Sequence, residues 1–268
     1  NKRRGKQWGR NLMLGIQFFI CWVFVSLTAA LYLQAEKTTN SLIHTLSQKE
    51  KSEILSIPLD YPFMKNGEKL ALIECFKQHA GVKEILLSDV GYMQGMSGNG
   101  LTTEKGNENS WIDISVMAVP ANFFSFMNIP IEQGRLPQTE KDIVVDNVWQ
   151  EMQKKDVIGM NLYSGNTDYT ICGISAPFQA NVYNRSSGYA FLPYDSSVYI
   201  GHCYIKSHPG RQKEVARWIE KVYREMLPEN ITYQAKTFLD DIHVLQALEY
   251  NLKDIILFFA VISIIITL

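Results

Sequence analysis

From Leu12 to Leu33 the chain reads LMLGIQFFICWVFVSLTAALYL, without a charged side chain. A helix rises about 1.5 Å per residue, so a run of this length matches the hydrocarbon core of a bilayer. Phe18, Phe19, Trp22 and Phe24 leave no polar face to meet water, which sets the run apart from a core helix of a soluble fold. It also exceeds the apolar core of a signal peptide, and no small-residue cleavage site follows it. Lys2, Arg3, Arg4, Lys6 and Arg10 precede it with no acidic residue among them. By the positive-inside rule, residues 1–11 form a cytoplasmic basic end and residues 12–33 a transmembrane helix, and the chain beyond it lies outside the cell.

The far end mirrors this pattern. Ile255 to Leu268 reads IILFFAVISIIITL. Residues 255–268 are expected to be the start of a second transmembrane helix, truncated before a full crossing. Together with the absence of an initiator Met, this marks the sequence as an expected excerpt of a longer, multi-pass membrane protein in which two spans bracket a domain.

About 220 residues lie between the spans, enough for one large domain or two small ones with real cores. The chain is 46% hydrophobic and 20% charged, with a formal net charge of -1. No basic stripe occurs outside the first ten residues, which excludes a nucleic-acid partner. Cys21 falls inside the first span, leaving Cys75, Cys172 and Cys203 in the exported part. That odd count allows one disulfide at most. Cys172 with Cys203 is the candidate pair, since both sit in strand-like segments, and buried free thiols are the alternative.

Neither Gly nor Pro occurs between Ile16 and Ile57. The first helix is therefore expected to continue as a stalk over residues 34–51, with Leu42, Ile43 and Leu46 as a narrow apolar face. Thr237 and Asp240 have the spacing of a capping box. Beyond them Leu239, Ile242, Leu245, Leu248 and Leu252 recur every three or four residues. A second stalk helix is expected over residues 238–254, running into the second span. A helix of this kind, joining a folded domain to a span, couples displacement of the one to tilt of the other.

Ser52 to Leu59 reads as a strand. Asn66 is placed to cap a helix carrying Leu70, Ile73 and Phe76, which Gly81 ends before the strand VKEILLS. A similar βαβ unit closes the domain: a strand over Val198 to Ile205, then a helix started at Pro209 with Val215, Trp218, Ile219, Val222, Tyr223 and Met226 on one face, stopped by Pro228 and followed by ITYQAKT. Trp111 to Val119 reads as a further strand of this subdomain, and the stretch after Pro120 as a short helix. From Gln133 the texture changes to short strands punctuated by Gly134, Gly159, Gly165 and Gly188. The expected fold class is α+β: a split βαβ-type subdomain over residues 52–130 plus 198–237, with an inserted small, mainly β subdomain over residues 131–197. Gly91 to Ser110 reads as a long exposed loop or as a partner-contacting arm with Met93 and Met96 as adaptable contacts.

Enzyme signatures are lacking: no G-x-S-x-G, no P-loop, no H-E-x-x-H and no paired C-x-x-C. The histidines are His44, His79, His202, His208 and His243. His202, Cys203 and His208 are close in sequence, but strand alternation puts His202 and Cys203 on opposite faces. Asp240, Asp241 and His243 sit at a helix start, where acidic residues favour the macrodipole. No catalytic, cofactor-binding or metal-ligating residue is assigned, no cofactor is expected, and the chain reads as a non-enzyme.

Several phrases carry a resemblance. FFSFMNIPIEQGRLPQ followed by KDIVVDN contains Phe123, Phe124, Gly134, Arg135, Val144, Val145 and Asn147. Ile158 and Gly159 precede YTICGISAPF, Tyr169 to Phe178, and HAGVKEI covers His79 to Ile85. In this order, and with the span, stalk and split domain around them, they resemble the extracytoplasmic core of MacB-like and FtsX-like permeases of ABC transporters. The start RNLMLGIQFF is similar to the opening of the second half of duplicated permeases from Bacteroides-like bacteria.

The resemblance implies a non-catalytic permease subunit in the bacterial inner membrane, with its main domain in the periplasm. It implies an ABC ATPase partner on the cytoplasmic side, a second permease half or a homodimer, a periplasmic or outer-membrane partner, and the lipid bilayer. The associated work is efflux, lipoprotein extraction or activation of cell-envelope enzymes. Gly134 and Arg135 read either as a binding spot or as a turn Gly with a solvated Arg. The alternative reading of the whole chain is the ligand-binding sensor domain of a transmembrane signalling receptor.

Overall fold

The structure, a computed structural model, describes residues 2–93, 100–180, 187–196, 199–228, 231, 233, 235–245, 247, 251, 254–258, 261 and 262. It divides into two compact units, one of Asn1–Ser41 with His243–Leu268 and one of Leu42–Ile242. The first unit contains α1 (Lys2–Ser41). Within it Leu12–Gln34, 23 residues with a mean hydropathy of 2.1 and none of its apolar window buried, is long and apolar enough to cross a membrane. Of the expected second span, residues 255–258, 261 and 262 are helical and the rest lie outside the described residues, as do Leu248 and Leu252 of the preceding seam.

The expected stalk over residues 34–51 is not one helix. α1 ends at Ser41, and Leu42, Ile43 and Leu46 are buried in the domain, with Ile43 at φ 45°. Three large aliphatic side chains within five residues gain more from burial, about 1.5–3 kcal/mol each, than the helix loses by ending there. Ser47 then starts α2 (Gln48–Glu53) with a capping box: Glu50 N–H donates to Ser47 Oγ at 3.2 Å and Ser47 N–H to Glu50 Oε2 at 2.8 Å.

The domain continues with β1 (Ile54–Pro58), α3 (Asn66–Lys77), β2 (Val82–Ser88), β3 (Ser115–Val119), α4 (Phe123–Phe126), β4 (Ile131–Gly134), β5 (Asp142–Asp146) and α5 (Asn147–Gln153). After these come β6 (Asn161–Ser164), β7 (Thr167–Ser175), β8 (Tyr189–Pro193), β9 (His202–Ser207), α6 (Gln212–Met226), β10 (Lys236–Thr237) and α7 (Phe238–Leu245).

The first sheet has the order β10-β1-β9-β2, antiparallel throughout. Each βαβ unit is split by a strand of the other: β9 lies between β1 and β2, and β1 lies between β9 and β10. This is the ferredoxin-like arrangement, interrupted after β2 by a long insertion. α3 and α6 cover one face of the sheet. Leu72, Ile73 and Phe76 meet Val215, Ile219, Val222 and Tyr223 over Leu55, Ile57, Cys203 and Ile205. The junction HAGVKEI has a local explanation: Gly81 N–H donates to His79 Nδ1 at 3.0 Å and His79 Nε2 lies 3.3 Å from Glu214 of α6. A Cβ on Gly81 would come within 2.8 Å of Val215, so the helices approach this closely only over glycine.

Two helix details differ from expectation. Asn66 does not cap α3; its amide donates to Ser196 O at 2.8 Å, and the preceding Lys65 N–H is taken by Glu68 at 2.8 Å. The buried face of α3 is Lys69, Leu72, Ile73 and Phe76, leaving Leu70 exposed.

The inserted sheet has the order β3-β8-β5-β7-β4, with β6 also pairing β7. Its β3–β8 and β5–β7 pairs are parallel. The strand within Trp111–Val119 therefore belongs to the insertion, which begins well before residue 131. A run such as SVMAV specifies a buried strand but not its neighbour, because every strand offers the same hydrogen-bonding edge. The second core gathers Leu101, Val116, Ile143, Val145, Trp149, Leu162 and Ile171.

The segment Gly91–Ser110 is an exposed loop only in part: residues 103–106 and 109 are exposed, as expected, whereas residues 91–93, 101 and 102 are buried. Residues 94–99, including Met96, lie outside the described residues. Tyr92, Met93 and Leu101 are buried, and Thr102 bridges to Trp111 and Tyr163. Met93 is therefore core and not a surface contact.

Candidate functional site

β1 is reached directly from α2 and pairs with β10, which leads directly into α7; Leu55 stands opposite Thr237 and Ser56 opposite Lys236. Both ends of the domain thus converge on one central strand.

The N-terminal end is held by one buried ammonium and several further hydrogen bonds to the domain. Lys51, 1% exposed, donates from Nζ to Leu42 O at 2.6 Å, and burial lowers its pKa. Ile43 N–H donates to Gln179 O at 2.8 Å, Thr45 Oγ1 to Met127 O at 2.6 Å, and Asn128 Nδ2 to Glu50 Oε1 at 3.0 Å. These bonds anchor the turn on the loop after α4 and on the inserted sheet's side of the domain.

The C-terminal end has its own set. Thr237 and Asp240 form the expected reciprocal cap, with Asp240 N–H to Thr237 Oγ1 at 3.2 Å and Thr237 N–H to Asp240 Oδ2 at 2.7 Å. Phe238 is fully buried, edge-on to Tyr204 at 5.2 Å. One residue past the cap, Asp241 accepts a short hydrogen bond from the Ser56 hydroxyl. With its proton so engaged, Ser56 Oγ accepts from His202 Nε2 at 2.8 Å. Burial pushes the His202 pKa down to about 4, so the imidazole is neutral at pH 7, and burial raises that of Asp241.

This Asp–Ser–His order does not support nucleophilic catalysis. A serine nucleophile needs the imidazole as proton acceptor, whereas here the imidazole donates and the carboxylate takes the hydroxyl proton. Ser56 and His202 are also sealed from solvent, 1% and 2% exposed. What the arrangement can do is hold the first turn of α7 to β1 and β9.

From Phe238 a series of rings crosses the domain. Tyr204 stacks on Tyr92 at 5.3 Å and accepts its backbone N–H at 2.9 Å. Tyr92 meets Phe123 at 5.2 Å, and Phe123 meets Phe191 of the inserted sheet at 5.5 Å. Burial raises the pKa values of both tyrosines, so these rings stay neutral.

The residues singled out in the sequence are distributed otherwise. Arg135 is a brace: its guanidinium bonds both Asp142 oxygens, at 2.7 and 3.1 Å, while Gln138 and Thr139 N–H donate to the same carboxylate. The Arg135 hydrogen bond holds the Asp142 pKa down at about 2. Gly134 faces Gly173, where added Cβ atoms would meet Cys172 O at 2.3 Å and Arg135 O at 2.4 Å. His202 and Cys203 occupy opposite faces of β9, Cys203 in the helix-covered core and His202 beside Ser56, and His208 is exposed. Cys172 and Cys203 lie in different sheets, and all four cysteines are free thiols. Ser56, Lys51 and the buried role of Asp241 had no sequence signal, since each looks like an ordinary polar residue of its element.

The fold is thus an α+β domain joined to a helix long and apolar enough to cross a membrane. No protein-family model matches the chain, and no curated protein matches it. Among solved structures it is similar to the periplasmic region of MacB from Actinobacillus actinomycetemcomitans, at 12% identity and a TM-score of 0.47, over 68% of this chain and 90% of that one. It is similar to a permease-protein domain from Porphyromonas gingivalis, at 13% identity and a TM-score of 0.44, over 58% and 69% of the two chains. It is also similar to the extracellular domain of the noncanonic ABC-type transporter YknZ from Gram-positive bacteria, at 11% identity and a TM-score of 0.45, over 68% and 95%.

Proposed function

We propose that this chain is the extracytoplasmic domain, with flanking helices, of a MacB- or FtsX-type ABC permease, a non-catalytic subunit of the bacterial inner membrane. A partner ATPase on the cytoplasmic side drives it, and a second permease half or a second copy completes the assembly. Its work is on molecules or proteins outside the cytoplasm: efflux, lipoprotein extraction or activation of cell-envelope enzymes.

The observation that carries this reading is the convergence of both domain ends on β1, with α7 fixed to that strand by Ser56 and Asp241. A shift of α7 is delivered to the centre of the first sheet and not to a loose loop. The family phrases support it further, because each has a job in the fold: Gly134 and Arg135 build a braced turn, and His79 and Gly81 close α3 on α6.

The test is co-purification of the full-length parent from detergent, with mass spectrometry for an ABC ATPase and an assay of its ATP hydrolysis with and without the permease. A bound ATPase stimulated by the permease is the expected result. A kinase or cyclase module on the same polypeptide, with no ATPase, overturns the reading in favour of a ligand-sensing receptor.

A further inference from the structure

The chain from Leu101 to Ile112 doubles back on itself, with Ile112 N–H donating to Leu101 O and Thr103 N–H to Ser110 O, each at 3.0 Å. Its inner arm joins β6, since Thr102 and Tyr163 exchange both backbone hydrogen bonds, at 2.8 and 2.9 Å. Trp111 therefore stands opposite Thr102, Thr102 opposite Tyr163, and Tyr163 opposite Asp168 of β7. Residues directly opposite across antiparallel strands share a face. The second core takes their chain neighbours Leu101, Ile112, Leu162 and Tyr169, so the row of Trp111, Thr102, Tyr163 and Asp168 lies on the other side of the sheet.

Trp111 is built as a platform. Its indole is seated against Gly100, where an added Cβ would come within 1.8 Å of the six-membered ring, so the ring settles on the strand only over glycine. The side chain is nevertheless 56% exposed. A ring held in place while much of it faces water spares a ligand the entropy of ordering it. Tyr163, two strand spacings or about 10 Å away along the backbone pairing, is a second, partly exposed ring.

The groups beside the two rings are polar. Lys141 donates to Asp168 at 3.3 Å, and this hydrogen bond, with the charge of Lys105 as a lesser cause, holds the Asp168 pKa down. Asn161 and Thr170, two residues along from Tyr163 and Asp168, are joined Oγ1 to Oδ1 at 2.9 Å. A protein partner would need an apolar core around the indole, which these neighbours do not supply. Because the carboxylate is already matched by a cation, the complementary ligand is neutral. A sugar chain meets both conditions: the C–H faces of its rings lie on the negative faces of aromatic rings, and its hydroxyls bond to the carboxylate and ammonium.

We infer that this row binds a neutral glycan, an extended β-1,4-linked chain of pyranose rings, with one ring on Trp111, another on Tyr163 and hydroxyls toward Asp168 and Lys141. This surface goes beyond the permease reading and does not depend on it.

The test is a ligand-observed NMR titration of the full chain in lipid nanodiscs, with empty nanodiscs as the blank and cellohexaose, N-acetylchitohexaose and maltohexaose as probes. At least one of the two β-linked probes should bind tenfold or more tightly than maltohexaose, whose α-linked chain coils away from a flat row. Trp111→Ala should weaken that binding at least tenfold, and Trp111→Phe less. Asp168→Asn, at a side chain 48% exposed, should weaken it several-fold and serves if the Trp111 variants fail to fold. No binding of either β-linked probe above the blank, equal binding of maltohexaose, or binding unchanged by Trp111→Ala and Asp168→Asn overturns the inference. Self-association in sedimentation that Trp111→Ala abolishes, with no saccharide bound, overturns it in favour of an interface between copies of the chain. None of these results bears on whether an ATPase partner exists.

Discussion

The hydroxyl of Ser56 on β1 donates to the carboxylate of Asp241 on α7, across 185 positions of sequence, and His202 completes the bond from β9. Three elements from opposite ends of the domain thereby share one buried hydroxyl. The elements that meet there are the central strands and the helix that leaves the domain, which makes this contact a natural place to test coupling.

Ser56→Ala should destabilise the domain by about 1–3 kcal/mol, because it strands a half-buried carboxylate and a buried imidazole. Ser56→Ala combined with Asp241→Leu should cost less than the sum of the single changes, since the double change no longer strands the carboxylate and leaves only the imidazole without its partner. Denaturant unfolding of the detergent-solubilised chain, followed by tryptophan fluorescence, measures both. Strict additivity would show that the contact contributes no coupling.

Acid should act through His202. Its pKa falls from an ordinary 6.5 to about 4 in the fold, so its contribution is complete above pH 6.5 and is lost as the pH falls through 4. At 1.36 kcal/mol per unit this is of the order of 3 kcal/mol. Asp146, whose pKa is pushed up from 3.8 to about 6 by burial, acts with the opposite sign: its contribution is present below pH 3.8 and lost as the pH rises through 6. Stability against pH for His202→Asn and Asp146→Asn should therefore deviate from wild type in opposite directions between pH 4 and 6.

Gly134→Ala and Gly173→Ala should each cost about 2 kcal/mol or more, because the new methyl meets a backbone carbonyl of the facing strand at 2.3 or 2.4 Å. Gly67→Ala, in the first turn of α3 with nothing within 4 Å of the added carbon, should stabilise by about 0.4–1 kcal/mol. Urea midpoints of the three variants separate close approach from mere flexibility.

Val244→Pro removes an N–H from α7 at a side chain that is 64% exposed, so packing is spared while the helix is interrupted. The domain should stay folded, losing no more than the roughly 3 kcal/mol that proline costs inside a helix. On the permease reading proposed above, transport-linked activity in cells should disappear, and full activity with this variant would remove α7 from the proposed coupling route.

The features legible in the sequence are those fixed within one element. The uncharged run at Leu12–Leu33, the amphipathic period of α6, the Thr237–Asp240 cap and the glycine turns each follow from spacing, charge or backbone freedom over a few residues, and each stands where expected, except that α6 starts at Gln212 and not at Pro209 and that Met226 at its end is exposed. Even the division into a split α+β part and an insertion follows from two similar βαβ patterns placed early and late.

What lay beyond the sequence is which distant segments meet. The absence of Gly and Pro permits a helix to run on past Ser41, but the burial of Leu42, Ile43 and Leu46 ends it there. SVMAV reads as a strand, and only the competition among sheet edges assigns it to β8 and not to the first subdomain. Ser56, His202 and Asp241 are unremarkable in their own elements. They become a joint because β9 threads between β1 and β2 and brings a buried hydroxyl and a buried imidazole within hydrogen-bonding distance of a half-buried carboxylate, where unpaired polar groups are too costly to leave apart.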